Sequence, residues 1–327
     1  MDKDESWGDE RKYNAMMALL IGDAAGVFFE TKEPSAIPDL SLVNLFDLPK
    51  EWIGGHDVSL GVFSDDGSTA LVMLDSLTTQ GRLDVEDFGR RMLRWLDENY
   101  LASGGRAFGA GGTTRAALDN LRRGVPAQSA GIRTEAAMDN NPLMRAFPLA
   151  LLHNGSDEDL VHDTFVQCEV THAHPRPRVV AAAYALWTRF TLETPTMNAF
   201  DNARAATAWL IDLFGRQQDR RRWVAPSVLF SEAVHLYRML ETERPTGAGH
   251  ISQTFISAVW ANRHDLFASV VTEAVQLGLD TDSTAAAAAG IAALRLGSAS
   301  IPLHWRGKVA QHMPPEAIDV LDRLRAT

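Results

Sequence analysis

Apolar residues recur along the chain mostly at three- and four-residue spacing, the period of a helix with one buried face. Met16, Met17, Leu19, Leu20 and Ala24 set the pattern for a first helix over 13–30. Val85, Phe88, Met92 and Trp95 set it for another over 85–100, behind a helix at 65–80. The same reading predicts helices at 135–153, 176–191, 198–214, 226–240, 250–261, 264–277, 282–296 and 315–325. Pro175 starts the helix at 176, as a proline in a first helical turn does. Strand-like alternation is confined to Ser41–Phe46. Residues 31–61, broken by Pro34, Pro38 and Pro49, read as a long covering loop, and residues 1–11 as a polar arm. The pattern predicts an all-α protein: the arm at 1–11, then a single compact helical domain over 12–327.

Two polar stretches interrupt this pattern at helix starts. Gly278-Leu-Asp-Thr-Asp-Ser-Thr-Ala285 precedes a run of alanines, and Ser64-Asp-Asp-Gly-Ser-Thr-Ala70 lies 215 residues earlier with acid, Ser, Thr and Ala at matched places. Each alone reads as an acidic helix cap, with Ser283 or Asp282 capping the later helix. Brought together, four carboxylates repel one another unless cations or protons neutralise them. An all-oxygen set of Asp, Ser and Thr suits Mg2+, Mn2+ or Ca2+ rather than zinc.

Further candidates lie between these motifs. Gly22 and Gly26 share a helix face and permit close approach of a second backbone, with Asp23 and Glu30 nearby. Five glycines between Ser103 and Gly112 allow a backbone to wrap a ligand and cradle phosphate, although the spacing is no dinucleotide fingerprint. Asn140 and Asn141 before Pro142 offer amides to a sugar, and His172 and His174 are too few for a zinc site.

Composition narrows the function classes. With 42 acids against 31 bases the net charge is -11, which disfavours general nucleic-acid or membrane-surface binding. The basic run Arg216–Arg222 reads as a solvated loop. A single cysteine, Cys168, in an apolar setting excludes an internal disulfide and fits the cytoplasm. No apolar run approaches a membrane span.

Taken in order, these motifs resemble those of the ADP-ribosylglycohydrolase family, which includes the dinitrogenase-reductase-activating glycohydrolases. The resemblance rests on Gly22-Asp-Ala-Ala-Gly-Val-Phe-Phe-Glu30, Ser64-Asp-Asp66, the Gly-rich stretch 104–112, Asn140 to Arg145, Thr171-His-x-x-Pro175, Gly278-x-Asp-Thr-Asp-Ser-Thr-Ala285 and Ile301-Pro-x-x-Trp305. It implies an orthogonal helical bundle with a central cleft holding two Mg2+ or Mn2+ ions. By the match, Ser64, Asp65, Asp66, Asp280, Asp282 and Ser283 are the metal ligands. Catalytic duty falls among Asp65, Asp66, Glu30 and Asp280, and Gly109, Gly111, Gly112, Asn140 and His172 receive the substrate. The implied reaction is removal of ADP-ribose from a modified protein side chain, most often arginine. The alternatives are a module that binds ADP-ribose, or an immunity-type protein that blocks a cognate ADP-ribosyltransferase through the arm. Gly67 and Asn141-Pro142 depart from the family pattern.

Overall fold

The computed structural model describes residues 5–41, 43–49, 52, 56–216, 223 and 225–326. α1 (Glu5–Gly26) and α13 (Thr281–Leu296) form the axis, and they pack closely because small residues line both sides. A Cβ on Gly22 would stand 2.2 Å from the carbonyl oxygen of Ala285, and one on Gly26 would stand 2.4 Å from the Asp282 backbone. The pairing of 22 with 285 and 26 with 282 makes the two helices antiparallel. Every residue from Thr281 to Leu294 is buried, so the alanine run is a helix enclosed on all sides.

Around this axis lie α2 (Asp65–Gln80), α6 (Pro142–Leu152) and α8 (Pro175–Glu193) on one side. α11 (Ile251–Ala261) and α12 (Phe267–Gln276) pack against α13. α7 (Asp157–Glu169), α9 (Ala199–Gly215) and α10 (Pro226–Thr242) build outward from α8. α3 (Val85–Glu98), α4 (Gly112–Arg122), the single turn α5 (Ala127–Ala130), α14 (Leu303–Ala310) and α15 (Pro315–Asp322) complete the chain. One contiguous apolar core runs from Ala15 to Leu324. Among the described residues there is no strand, only isolated bridges pairing Ile132 with His172 and Asp139 with His250. No helix among them is long and apolar enough to cross a membrane.

Several expectations change. The first helix begins at Glu5, so the described part of the predicted arm, 5–11, is helical, and Arg11 donates to the carbonyls of Leu192 and Leu294. Ser41–Phe46 is no strand: Val43 N–H donates to Leu40 and Asp47 N–H to Asn44, closing local turns. The helix expected from 135 starts at Pro142, since 137–139 is pinned to other loops, with Ile251 N–H donating to Met138. α4, α7 and α14 were not anticipated, although Ser156 and Asp159 form a capping box ahead of α7. In the basic run, residues 217–222 lie outside the described residues. Cys168 is buried, as expected. The covering loop is held from the C-terminal side: Trp305 stacks on Phe46 at 5.3 Å and donates its indole N–H to Asn44.

The glycine contacts separate two outcomes. Gly22→Ala drives a methyl into the α13 backbone, with an expected loss of about 1–3 kcal/mol or more. Gly307→Ala, inside α14 with open space at its Cβ, is expected to gain about 0.5–1 kcal/mol. Urea denaturation of the two variants measures both, and a neutral Gly22→Ala would refute the close approach.

Candidate metal centre

The C-terminal turns of α1 organise the N-termini of the two helices that carry the paired acids. The Asp23 carboxylate accepts from the backbone N–H of Ser64 at 2.8 Å and of Gly67 at 2.6 Å, capping α2 from outside. Thr281 donates its hydroxyl to the Gly26 carbonyl at 2.7 Å, tying the start of α13 to the end of α1. Asp23 therefore supports the site wall rather than entering the cleft.

α2 begins at Asp65 with Ser64 as N-cap, its side chain accepting from Asp66 N–H. α13 begins at Thr281 with Asp280 in the N-cap position, and the Asp280 side chain makes no cap hydrogen bond. Of the two expected caps, Asp282 Oδ1 accepts from the Ser283 N–H of the first turn at 2.9 Å, whereas Ser283 does not serve the helix. Ser283 instead donates to Asp66 at 2.6 Å, with Asn140 Oδ1 at 3.3 Å. The matched residue Ser68 donates back to the Ser64 carbonyl inside its own helix, so the two similar motifs are not chemically symmetric.

One oxygen each from Glu30, Asp280 and Asp282 lies within 4.8 Å of the others. Asp65 and Asp66 join this group through amides and hydroxyls. Asn141 donates to Asp65 at 3.0 Å, and Asn140 donates to Asp280 at 2.6 Å and to Thr254 at 2.7 Å. Asp65, Asp66 and Asp282 are buried, while Asp280 and Glu30 are half-buried. Glu30 pairs with His56. The Gly-rich loop crosses this floor: a Cβ on Gly109 would lie 2.1 Å from Asp65 Oδ1, and one on Gly111 would lie 2.9 Å from Asp139 Oδ2. Gly111 caps α4 and Gly112 opens it, with open space at the Gly112 Cβ. His172 is fully buried, and both ring nitrogens bond within the protein, to Thr171 and Asp139, so it has no atom left for a ligand.

Electrostatics single out the cluster. Burial, then the charges of Asp23, Glu30 and Asp280, push Asp65 well above the ordinary carboxylate range. Burial and Asp65 do the same to Asp66, and burial and Glu30 to Asp282. Burial raises Glu30 against the opposing influence of His56. Burial pushes Asp23 up to about 7 despite its two backbone hydrogen bonds. Among the described residues no lysine or arginine forms an ion pair with Asp65, Asp66, Asp280 or Asp282. A largely buried all-oxygen acid cluster that, among the described residues, pairs with no lysine or arginine, and with His56 only through Glu30, fits one or more hard divalent ions.

Sequence reasoning missed Asp139, Thr254, His56 and Gly249, where a Cβ would lie 2.6 Å from Asp280. None sits at a spacing that marks a site, and only the tertiary contacts bring them in.

Fold and site together define an all-α bundle that joins two acid-bearing helix N-termini at one cleft. The profile of the ADP-ribosylglycohydrolase family matches residues 7–326, and the chain belongs to that family. It is 28% identical over 311 residues to the ADP-ribosylarginine hydrolase Tri1 of Serratia proteamaculans, covering 94% of this chain and 77% of that protein. It is 24% identical over 330 residues to the ADP-ribosyl-[dinitrogen reductase] glycohydrolase of Rhodospirillum rubrum, covering 97% and 96%. A solved structure described as an ADP-ribosylglycohydrolase-related protein complex superposes with a TM-score of 0.72 over 98% of both chains at 24% identity, which establishes the shared fold.

The raised acids give a signed prediction. Without divalent ions the folded state holds protons that the unfolded chain releases, so stability falls as pH rises. The window opens in the ordinary carboxylate range near 4 and extends through about 7 for Asp23. The rise in unfolding temperature on adding Mg2+ or Mn2+ to EDTA-treated protein is therefore expected to grow between about pH 5 and about pH 8. A benefit that shrinks or stays flat over that range would rule out the proton-loaded cluster.

Proposed function

We propose that this chain is a metal-dependent hydrolase that removes ADP-ribose from modified protein side chains, with arginine as the acceptor. The observation that carries the reading is the buried acid cluster at the joined N-termini of α2 and α13, walled by amides and a glycine loop. The names of the relatives supply the substrate class. Asp65, Asp66, Asp280 and Asp282, with the hydroxyls of Ser64 and Ser283, are the proposed ligands for two Mg2+ or Mn2+ ions. Such ions, when bound, supply Lewis acidity that orients ribose hydroxyls and lowers the pKa of water.

Cleavage of the bond between the ribose anomeric carbon and the guanidinium nitrogen develops positive charge on the sugar. The surrounding carboxylates favour that positive charge as it moves from the guanidinium onto the sugar. Glu30 is assigned as general base: burial has raised it toward working pH, it is half-buried rather than sealed, and His56 steadies it. Water adds its oxygen to the anomeric carbon, Glu30 takes the water proton, and that proton passes to the departing guanidine. Products are ADP-ribose and a free arginine side chain, with Glu30 restored. The backbone from Gly109 to Gly112 and the first amides of α4 are assigned to the diphosphate, as helix N-termini bind anions. Asn140 and Asn141 hold the acids in place and border the ribose. The compartment proposed is the cytoplasm, on the strength of one buried, unpaired thiol.

Release of ADP-ribose from an arginine-ADP-ribosylated protein, followed with Mg2+, with Mn2+ and with EDTA, tests the reading. Asp65→Asn combined with Asp282→Asn is expected to lower release by roughly two orders of magnitude or more. EDTA-resistant release, or an active double variant, would sink the metal mechanism. ADP-ribose bound without release would make the protein a binding module instead.

A further inference from the structure

Behind the Gly-rich loop lies a buried polar chain that the proposed chemistry does not use. Arg145 in α6 is fully buried and donates from Nη2 to the Thr171 hydroxyl at 2.6 Å. Thr171 Oγ1 lies 2.8 Å from His172 Nδ1, and His172 Nε2 lies 2.6 Å from Asp139 Oδ1. The Thr113 side chain in the first turn of α4 also helps hold the Asp139 carboxyl down, and Asp139 Oδ2 fills the space beside Gly111. The next two residues, Asn140 and Asn141, are the amides on Asp280 and Asp65.

The chemistry of the groups gives this chain one direction. Guanidinium nitrogens only donate, so Thr171 Oγ1 accepts from Arg145. Burial, opposed by Asp139 and reinforced by Arg145, lowers the His172 pKa and leaves the imidazole neutral at pH 7. Asp139, half-buried and held below the usual carboxylate range by His172 against the effect of its burial, is ionised and only accepts. The His172 proton therefore sits on Nε2, and the Thr171 hydroxyl donates to bare Nδ1. Each link fixes its neighbour.

We infer that Arg145, Thr171, His172 and Asp139 form a directional positioning chain that sets the register of Asn140, Asn141 and the Gly-rich loop, and so the affinity for the ADP-ribose part of the substrate. This rests on the hydrolase reading. Asp139 is the junction: one oxygen faces the histidine, the other faces the loop, and its backbone leads into the two amides. Burying Arg145 is itself unfavourable, because its Nε and Nη1 have no partner among the described residues. A core that served packing alone would be more stable with an apolar side chain at that position. That cost is explained if the arginine orients Thr171 and, through it, His172 and Asp139.

Thr171→Val keeps the shape and removes the hydroxyl that both accepts from Arg145 and donates to His172. Thr171→Ser restores that hydroxyl. By calorimetry, Thr171→Val is expected to weaken ADP-ribose binding by about tenfold or more, with Mg2+ or Mn2+ affinity held within about twofold, and Thr171→Ser is expected to recover the loss. In 15N-histidine spectra, the resonances missing from His172→Gln identify His172. They should show Nδ1 bare and Nε2 protonated in the wild type and also in Thr171→Val, where Asp139 still only accepts, with the Nδ1 resonance shifted by loss of the Thr171 hydroxyl. Wild-type affinity for ADP-ribose in the valine variant, or parallel loss of metal and nucleotide-sugar binding, would reduce the chain to ordinary structural support and overturn the inference. A proton on Nδ1 in the wild type would overturn the direction. If the wild type binds no ADP-ribose, the hydrolase reading falls and the affinity role falls with it, while the tautomer alone decides the chain.

Discussion

The contact on which the rest depends is that between the backbones of α1 and α13 at Gly22 and Gly26. With no side chain at those two positions, the α13 backbone approaches until a single added carbon would overlap Ala285 and Asp282. That closeness lets Thr281 reach the Gly26 carbonyl, and the same turns of α1 present Asp23 to the amides at the start of α2. Two helix N-termini then converge, and four of their carboxylates occupy one buried volume. Their partial positive charge offsets part of the repulsion, because amide dipoles at a helix start favour anions. The offset is incomplete, since Asp65, Asp66 and Asp282 all remain raised, first by burial and then by neighbouring carboxylates, Asp23 and Asp280 among them in each case. Among the described residues no lysine or arginine pairs with these four carboxylates, so the cluster could hold a metal ion.

Helix ends show the same priority. An ordinary α13 would begin with a side-chain cap, worth on the order of 1 kcal/mol. Asp280 occupies the cap position without making the cap, and its carboxylate is held by Asn140 instead. Ser283, which could serve the helix, reaches across to Asp66. The first turn keeps one side-chain acceptor, Asp282 Oδ1 on the Ser283 N–H, while Asp280 and the Ser283 hydroxyl point to other groups of the site. α7, far from the cleft, keeps a complete capping box from Ser156 and Asp159.

The all-α architecture was legible because apolar spacing reports burial of one face, and most helices here have one. The paired acids were legible because acid, hydroxyl and alanine stood in matched places. α4 was hidden because it emerges from a glycine run, and glycine both breaks the pattern and masks a helix start. Ser41–Phe46 alternates as a strand does, yet its amides are used in turns and no neighbour among the described residues offers an edge to pair with. His172 was readable as a residue that matters but not as to its place: burial with both nitrogens engaged puts it behind Asp139. Asp139, Thr254 and Gly249 carry no local mark, since each joins the site through a contact distant in sequence.

Gly67 shows how a departure from a family pattern is to be weighed. A threonine there would add a hydroxyl next to the acids, so its absence suggests a weakened site when only the sequence is considered. In the fold, a Cβ at Gly67 would lie 2.8 Å from Phe63, 2.9 Å from Leu20 and 3.0 Å from the Asp23 carboxylate. The space is already filled by the Phe63 ring and by the acid that caps α2. Gly67 N–H also donates one of the two hydrogen bonds to Asp23. A side chain at this position would therefore meet Phe63, Leu20 and Asp23. Asn141 obeys the same logic, since its amide grips Asp65 and Pro142 after it starts α6. Both departures lie in the wall of the cleft, and the four carboxylates stand in the floor beside them.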